Sequence, residues 1–310
     1  MAGALVWKGG TVTADRHEPG LMRHIEFCRP AVAGAGRLAF FLRDQPVGWV
    51  DPALVPALVG LGVEVGAGVA WLDAPARLPA IAQALAGQHL LGWRGEAFDV
   101  RALPGGAVLA SIDRGALPGF GLLGEGVHMN GLVRRGDGLH VWVARRGADR
   151  PLDPGKLDHL VAGGIASGMT AGQTLVKEAA EEAGLPAELV APAVAVGVID
   201  YRMDRPEGLR RDRLHCYDLL LPEGFTPVAA DGEAAGFELW PIGRVAETVA
   251  AGDAFKFNVN LVLIDLLLRH GVVAGPRLRA GLDAFRHGKM RVTRPSRPGM
   301  LAAIGPRAEE

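Results

Sequence analysis

The sequence predicts an α/β domain preceded by a smaller α+β domain. Three observations carry that fold class: a helix capped at both ends over 171–183, directly after a glycine-rich loop; apolar/polar alternation on both sides of Gly136-Asp137-Gly138; and an apolar helical repeat over 256–269. Strand-like and helix-like segments alternate through the carboxyl-terminal half, as expected of a sheet with helices on its faces. Pattern and composition place the α+β domain at residues 1–120, the α/β domain at 121–285 and a basic tail at 286–310.

In the first domain, GRLAFFLRDQPVGWVDP reads as two strands around Asp44-Gln45, and Pro52 opens a helix. Asp73 is positioned to cap a second helix that carries Leu78, Ile81, Ala82 and Leu85 on one face. LLGWRGEAFDVRAL and GAVLASIDR are strand-like. From Gly124, GVHMNGLVRRGDGLHVWVARR has the form of a β-hairpin. A loop rich in Asp, Pro and Gly covers 147–157, and the short run Leu160-Val161-Ala162 leads into the capped helix.

That helix is defined by its ends. Thr170 followed by Gln173 forms a capping box. Gly184 stands where a left-handed carboxyl-terminal cap belongs, and Pro186 lies just beyond. Leu175, Val176, Ala179, Ala180 and Ala183 supply apolar positions and strong helix formers. After it, VAVGVIDYRM and LHCYDLLLP read as strands joined by an arginine-rich turn, and Glu238–Pro241 as a strand end. The last helix places Val259, Val262, Leu263, Leu266 and Leu267 on one stripe, pairs Asp265 with Arg269, and stops at Gly271.

The composition narrows the function. A net charge of −1 gives no electrostatic footprint for nucleic acid. Cys28 and Cys216 are too few and too far apart for a disulfide framework or a zinc site, and read as reduced, packed thiols. The most apolar stretch, Val259–Leu268, is broken by Asp265 and is too short to span a bilayer. The amino terminus lacks a signal-peptide core, so the expected location is the cytoplasm.

The chemistry concentrates on the capped helix. At ~100° per residue, Glu178, Glu181 and Glu182 share one face. Like charges this close repel unless something positive sits between them, and a hard divalent cation such as Mg²⁺ would serve. A solvated acidic face is the alternative. The surrounding residues, GGIASGMTAGQTLVKEAAEEAGL, resemble the Nudix box of the Nudix hydrolase superfamily. Glu181-Glu182 match its paired glutamates and Glu178 the preceding one. Lys177 replaces the family arginine and Met169 the first glutamate, and three residues rather than four separate Gly163-Gly164 from Gly168.

The resemblance implies a Nudix α/β/α sandwich with a mixed sheet, and a phosphoanhydride hydrolase using Mg²⁺, with Mn²⁺ as the substitute. Glu178, Glu181 and Glu182 would hold the metal, with the Gly163 or Gly164 carbonyl as a further ligand. One of the glutamates or Glu233, which resembles an additional acidic residue of some members, would act as base. The partner is a small-molecule diphosphate. Arg145, Arg146 and Lys177 are cations near the box, and His128, Asn130, Tyr201, His215, Tyr217 and Asn258 are candidates for holding a ring. Taken singly, each has a structural role as its simpler explanation.

GVHMNGLV, PGKLDHLVAGGIASGM, KEAAEEAGLP and AFKFNVNLVLIDLLLRHGVV together resemble the Nudix enzymes related to the amino-terminal region of fungal thiamine pyrophosphokinase. That branch implies thiamine diphosphate, or its oxo and oxy damaged analogues, as substrate. The competing readings are hydrolysis of ADP-ribose or another nucleoside diphosphate derivative, and a silent Nudix domain that senses a ligand. Isopentenyl diphosphate isomerisation needs a positioned cysteine and a histidine-rich metal site, and neither cysteine has a matching context.

Overall fold

The computed structural model describes residues 14–29, 35–149, 152–229 and 232–286. Contacts divide the chain into two units that interleave along the sequence. One contains residues through 31, 124–203 and 212–288; the other contains 32–123 and 204–211. The expected basic tail lies outside the described residues apart from Arg286.

Helix α1 (Ala14–Phe27), which the sequence reading did not anticipate, belongs to the larger unit. The smaller unit begins with β1 (Leu38–Leu42) and β2 (Gln45–Val50), an antiparallel pair. Leu42 pairs with Gln45, so the turn is Arg43-Asp44, one residue earlier than expected. Asp51 accepts from the Ala53 N–H and caps a 3-10 turn at Pro52–Leu54 that runs into α2 (Val55–Gly60). Next come β3 (Glu64–Gly66) and β4 (Val69–Leu72), with β4 parallel to β1 in the order β2-β1-β4-β3. Helix α3 (Leu78–Gly87) starts after a 3-10 turn, Pro75–Arg77. Ala74 occupies the cap position there, so the cap expected from Asp73 is replaced by proline-initiated geometry. Leu78, Ile81, Ala82 and Leu85 enter the core with Phe40, Leu72 and Phe120. The strands β5 (Ala97–Val100) and β6 (Ala110–Asp113) complete the unit as a hairpin. Residues 204–211 group here because Arg211 donates to the Gly121 and Val47 carbonyls and stacks 4.7 Å over Trp49.

The larger unit is built on β7 (Leu123–Arg135), β8 (Gly138–Arg146), β9 (Leu157–Asp158) and β10 (Val161–Gly164). Then follow α4 (Ala171–Ala183), α5 (Ala187–Val190), β11 (Val194–Arg205), β12 (Gly208–Leu220) and β13 (Ala234–Pro241). Three helices close it: α6 (Ile242–Ala251), α7 (Phe257–Arg269) and α8 (Pro276–Arg286). The main strand order is β11-β12-β7-β8-β13. Strand alternation splits the core between the two faces. Val127, Met129, Val133 and Trp142 pack with α4, whereas Leu132, Val141, Val143, Leu214 and Cys216 pack with α1, α6, α7 and α8. The result is an α/β/α sandwich with α7 buried along its length. No helix among the described residues is long and apolar enough to cross a membrane. Both cysteines are buried.

A fork in this sheet positions the cleft. β7 and β8 pair from the Gly131–Trp142 register to the hairpin turn and then diverge. Into the fork runs the 157–164 segment, with β9 on β8 and β10 on β7. Leu160 crosses the fork directly over Gly131, where a Cβ would lie 2.3 Å from the leucine Cδ2. Any larger residue at 131 would push this segment outward.

Buried polar groups tie α7 to the sheet. Asp218 on β12 accepts from Asn130 Nδ2 at 2.8 Å and from Arg269 Nη1 at 2.6 Å. Burial alone would raise its carboxyl pKa, but hydrogen bonds from His270, Arg269 and Asn130 hold it down at about 2. A carboxyl depressed in the folded state stabilises the fold above the ordinary aspartate range, and that stability is lost as pH falls from about 4 through about 2. Between pH 5 and 2 the wild type is therefore expected to lose about 2 kcal/mol more than Asp218→Asn. Urea unfolding of both proteins at the two pH values measures the difference.

Candidate functional site

The capped helix forms as its sequence requires. Thr170 Oγ1 accepts from the Gln173 N–H at 3.2 Å, and the Gln173 side chain returns the bond to the Thr170 N–H at 2.9 Å. Gly184 adopts the left-handed cap conformation at φ 63°. These ends fix which helix face meets the edge of β10.

The three glutamates separate into two environments. Glu182 accepts from the Ala162 N–H of β10 at 2.8 Å, on the floor of a cleft that also includes Asp158, His159, Arg146 and Glu233. Burial pushes its carboxyl well above the usual range; the Ala162 N–H opposes this, while Asp158, Glu178 and Glu233 add to it. Glu178 lies directly over Gly163, where a Cβ would sit 2.2 Å from its Cγ and 2.6 Å from Oε2. Gly163 is thus glycine because the glutamate occupies the side-chain position. Glu181 is exposed, and the Lys177 ammonium lies between it and Glu178 at 2.5 and 3.1 Å respectively. The positive charge between those two glutamates is therefore supplied within the helix, and they in turn raise the Lys177 pKa.

Opposite the helix, the fork contributes a second charged set. Asp158 receives Arg146 Nη1 at 2.7 Å and lies 3.7 Å from Lys256 Nζ. Burial would raise its pKa, but Lys256, His159 and Arg146 outweigh it, so the carboxylate is held far below its ordinary range. His159 Nδ1 is 2.9 Å from His128 Nδ1. Burial lowers the His159 pKa to about 4, with Asp158 opposing, so the ring is neutral at physiological pH. The potential ligand atoms of His128, Asp158 and His159 lie within 4.8 Å of one another. Their mutual hydrogen bond and the cations on Asp158 make this a braced proton-holding cluster; the carboxylate oxygens of Glu178 and Glu182 match a hard cation better.

A model of the NUDIX domain matches residues 126–259, which span the fork, the capped helix, β13 and the start of α7. The chain carries a NUDIX domain. Among curated proteins, it is similar to Nudix hydrolase 20, chloroplastic, of Arabidopsis thaliana, at 41% identity over 63% of this chain and 52% of that protein. Nudix hydrolase 24, chloroplastic, of the same plant is 36% identical over 63% of this chain and 53% of its own length. The chain thus spans about half the length of the curated relatives it matches. Among solved structures, that of DR0079 from Deinococcus radiodurans is 22% identical and covers 54% of this chain and 97% of its own, with a TM-score of 0.43.

Within the NUDIX domain, the expected residues fall into three groups. Glu178, Glu182, Glu233, Gly163 and Gly164 lie along β10 or around the cleft. Arg146 also lines the cleft, but its guanidinium is occupied by Asp158 and the Asp153 and Leu152 carbonyls. Arg145 is on the other side of the strand, half-exposed and 3.7 Å from Glu238. Asn130 and Tyr201 serve the α7 side. Asn130 binds Asp218; Tyr201 donates to Asp212, receives Asn258 and stacks edge-on against Phe257. These two are core polar groups, away from the cleft. His128 supports His159 from beneath. Asp158, His159 and Lys256 were not singled out from sequence. Asp158 and His159 lie in LDHLVAGG and Lys256 in AFKFNVN, and nothing local marks them until the fork is known.

Proposed function

We propose that this chain hydrolyses the phosphoanhydride bond of a small-molecule diphosphate, with Mg²⁺ as cofactor and Mn²⁺ as its substitute. The observation that carries the reading is that Glu182 and Glu233 line one cleft beside β10, with Glu178 seated over Gly163 close enough to disfavour the charge of Glu182. Glu178 and Glu233 both disfavour the charge of Glu182, an arrangement costly to retain without a cation, which argues against a silent sensor.

The residues present fit a hard divalent ion. Glu178 is seated on Gly163 with no side chain beneath it, and Glu182 is fixed by the Ala162 N–H. These two glutamates would hold the ion, with Glu181 further out and the Gly163 or Gly164 carbonyl as an additional oxygen donor. When bound, the ion supplies electrophilic polarisation of phosphoryl oxygens and lowers the pKa of a bound water. Glu233, which lines the cleft on the segment entering β13, or one of the helix glutamates would accept the proton of the attacking water. Lys177 keeps Glu181 and Glu178 oriented along the helix.

For the substrate, the reading is thiamine diphosphate or its oxo and oxy analogues, cleaved to the monophosphate and inorganic phosphate. Its support is the four sequence stretches that resemble the thiamine-related branch, together with the departures at Met169, Lys177 and the short glycine loop. A product-release panel with Mg²⁺ tests it using thiamine diphosphate, its oxo and oxy analogues and ADP-ribose. Higher kcat/KM for the thiamine compounds is expected. Faster ADP-ribose turnover would overturn the thiamine assignment and leave the hydrolase in place.

A further inference from the structure

His159 is a buried histidine with one satisfied nitrogen. Its side chain is 1% exposed, and it lines the same cleft as Glu182 and Glu233. Nδ1 is engaged with His128, whereas Nε2 is buried and has no hydrogen-bond partner among the described residues. A buried polar atom left unmatched is costly, and among those of this chain His159 Nε2 belongs to a residue that lines the cleft.

The surroundings fix what this nitrogen can do. A single proton lies between the two Nδ1 atoms, since two neutral imidazoles bond through one donor and one acceptor. If His128 donates, His159 carries its proton on Nε2. Among the groups that line the cleft with His159, the Glu233 carboxylate favours an N–H at this nitrogen over a lone pair, whereas the Asp158 carboxylate lies on the Nδ1 side, 4.0 Å away. The backbone holds the ring tightly: His159 N donates to Asp158 Oδ1 at 2.9 Å, and β9 is bound on both sides, by β8 and by residues 254–256. The group is therefore a rigid, neutral donor on the wall of an acidic cleft. It adds no charge to compete with a metal for the glutamates. Its complement is a strong anionic acceptor, and a phosphoryl oxygen is the strongest that the proposed substrate class offers.

We propose that His159 Nε2–H is a substrate-contacting donor that binds a non-bridging oxygen of the diphosphate, with His128 as the positioning residue that sets its tautomer. The proposal rests on the diphosphatase reading, and its test separates the two. Nitrogen-15 NMR of the histidine rings reads the tautomer of His159 in the free protein and its change on adding inorganic pyrophosphate with Mg²⁺. A protonated Nε2 whose resonance moves on addition is expected. An Nε2 that carries a lone pair, or a resonance that does not move although pyrophosphate binds elsewhere in the domain, overturns the proposal.

Substitution gives an independent readout. His159→Phe should weaken pyrophosphate affinity about 10- to 100-fold, the effect of one charge-assisted bond, and His159→Gln should recover most of it. Equal loss in both variants with an unchanged fold indicates a packing role and contradicts the proposal. Because the probe is binding of pyrophosphate, a protein that binds it through His159 yet hydrolyses no diphosphate would refute the activity and leave the contact standing.

Discussion

Replacing Glu182 by glutamine is expected to lower kcat by at least ~10²-fold, the scale of losing a central electrostatic or acid–base group, while the protein becomes no less stable. The two effects have one cause. Glu182 is partly buried beside Glu178, Asp158 and Glu233, each of which disfavours its charge. Glutamine removes that repulsion, and its side-chain oxygen can still accept from the Ala162 N–H that Glu182 now engages. Turnover and thermal melting, measured together, should therefore move apart, as expected where a site is held at a cost in stability. A variant that loses stability and activity in parallel would show that Glu182 is an ordinary structural residue.

Gly163→Ala is the second substitution with a large expected effect. The added methyl would sit 2.2 Å from Glu178 Cγ and 2.3 Å from Cδ, so the carboxylate must swing off the strand edge. Gly163 is not among the residues with positive φ, so its backbone accepts alanine and β10 need not distort. Displacing a catalytic group by about 1 Å typically costs ~10²-fold in rate, and a loss of that order in kcat/KM is expected here. Gly172→Ala is the matched control. It lies in α4 with nothing within 4 Å of its Cβ position and should leave turnover unchanged.

These two positions differ in how far the sequence disclosed them. Glu182 and the helix beneath it were readable because caps are local: a capping box, a left-handed glycine and a following proline act within a few residues of the helix they bound. The hairpin at Gly136-Asp137 and the buried helix α7 were readable for the same reason, through periodicity. Helices α1, α6 and α8 were not anticipated. α1 contains Pro19, and α8 carries Arg277, Arg279, Asp283 and Arg286 among its apolar positions; each buries a stripe that only tertiary partners complete.

The site was legible on its helical side and hidden on its strand side. Asp158 ends β9 and His159 opens the two-residue link to β10, and their meaning depends on β7 and β8 diverging around this segment. No local pattern reports that divergence. Tyr201 and Asn130 illustrate the converse. Their residue types suit ring recognition, yet strand alternation and α7 turn both into internal hydrogen-bonding groups. Lys177 is a third case. It was expected as a cation near the box for the diphosphate, and its ammonium bridges Glu181 and Glu178.

The central claim is that Glu178 and Glu182 together hold the divalent ion on which diphosphate hydrolysis depends. Electron paramagnetic resonance of Mn²⁺ titrated into the wild type and into the Glu178→Gln/Glu182→Gln double variant, alongside turnover of the same samples, tests it most directly. The account predicts Mn²⁺ binding with metal-dependent, chelator-sensitive turnover in the wild type, and loss of both in the folded double variant. Unchanged Mn²⁺ affinity and turnover in that variant would contradict it.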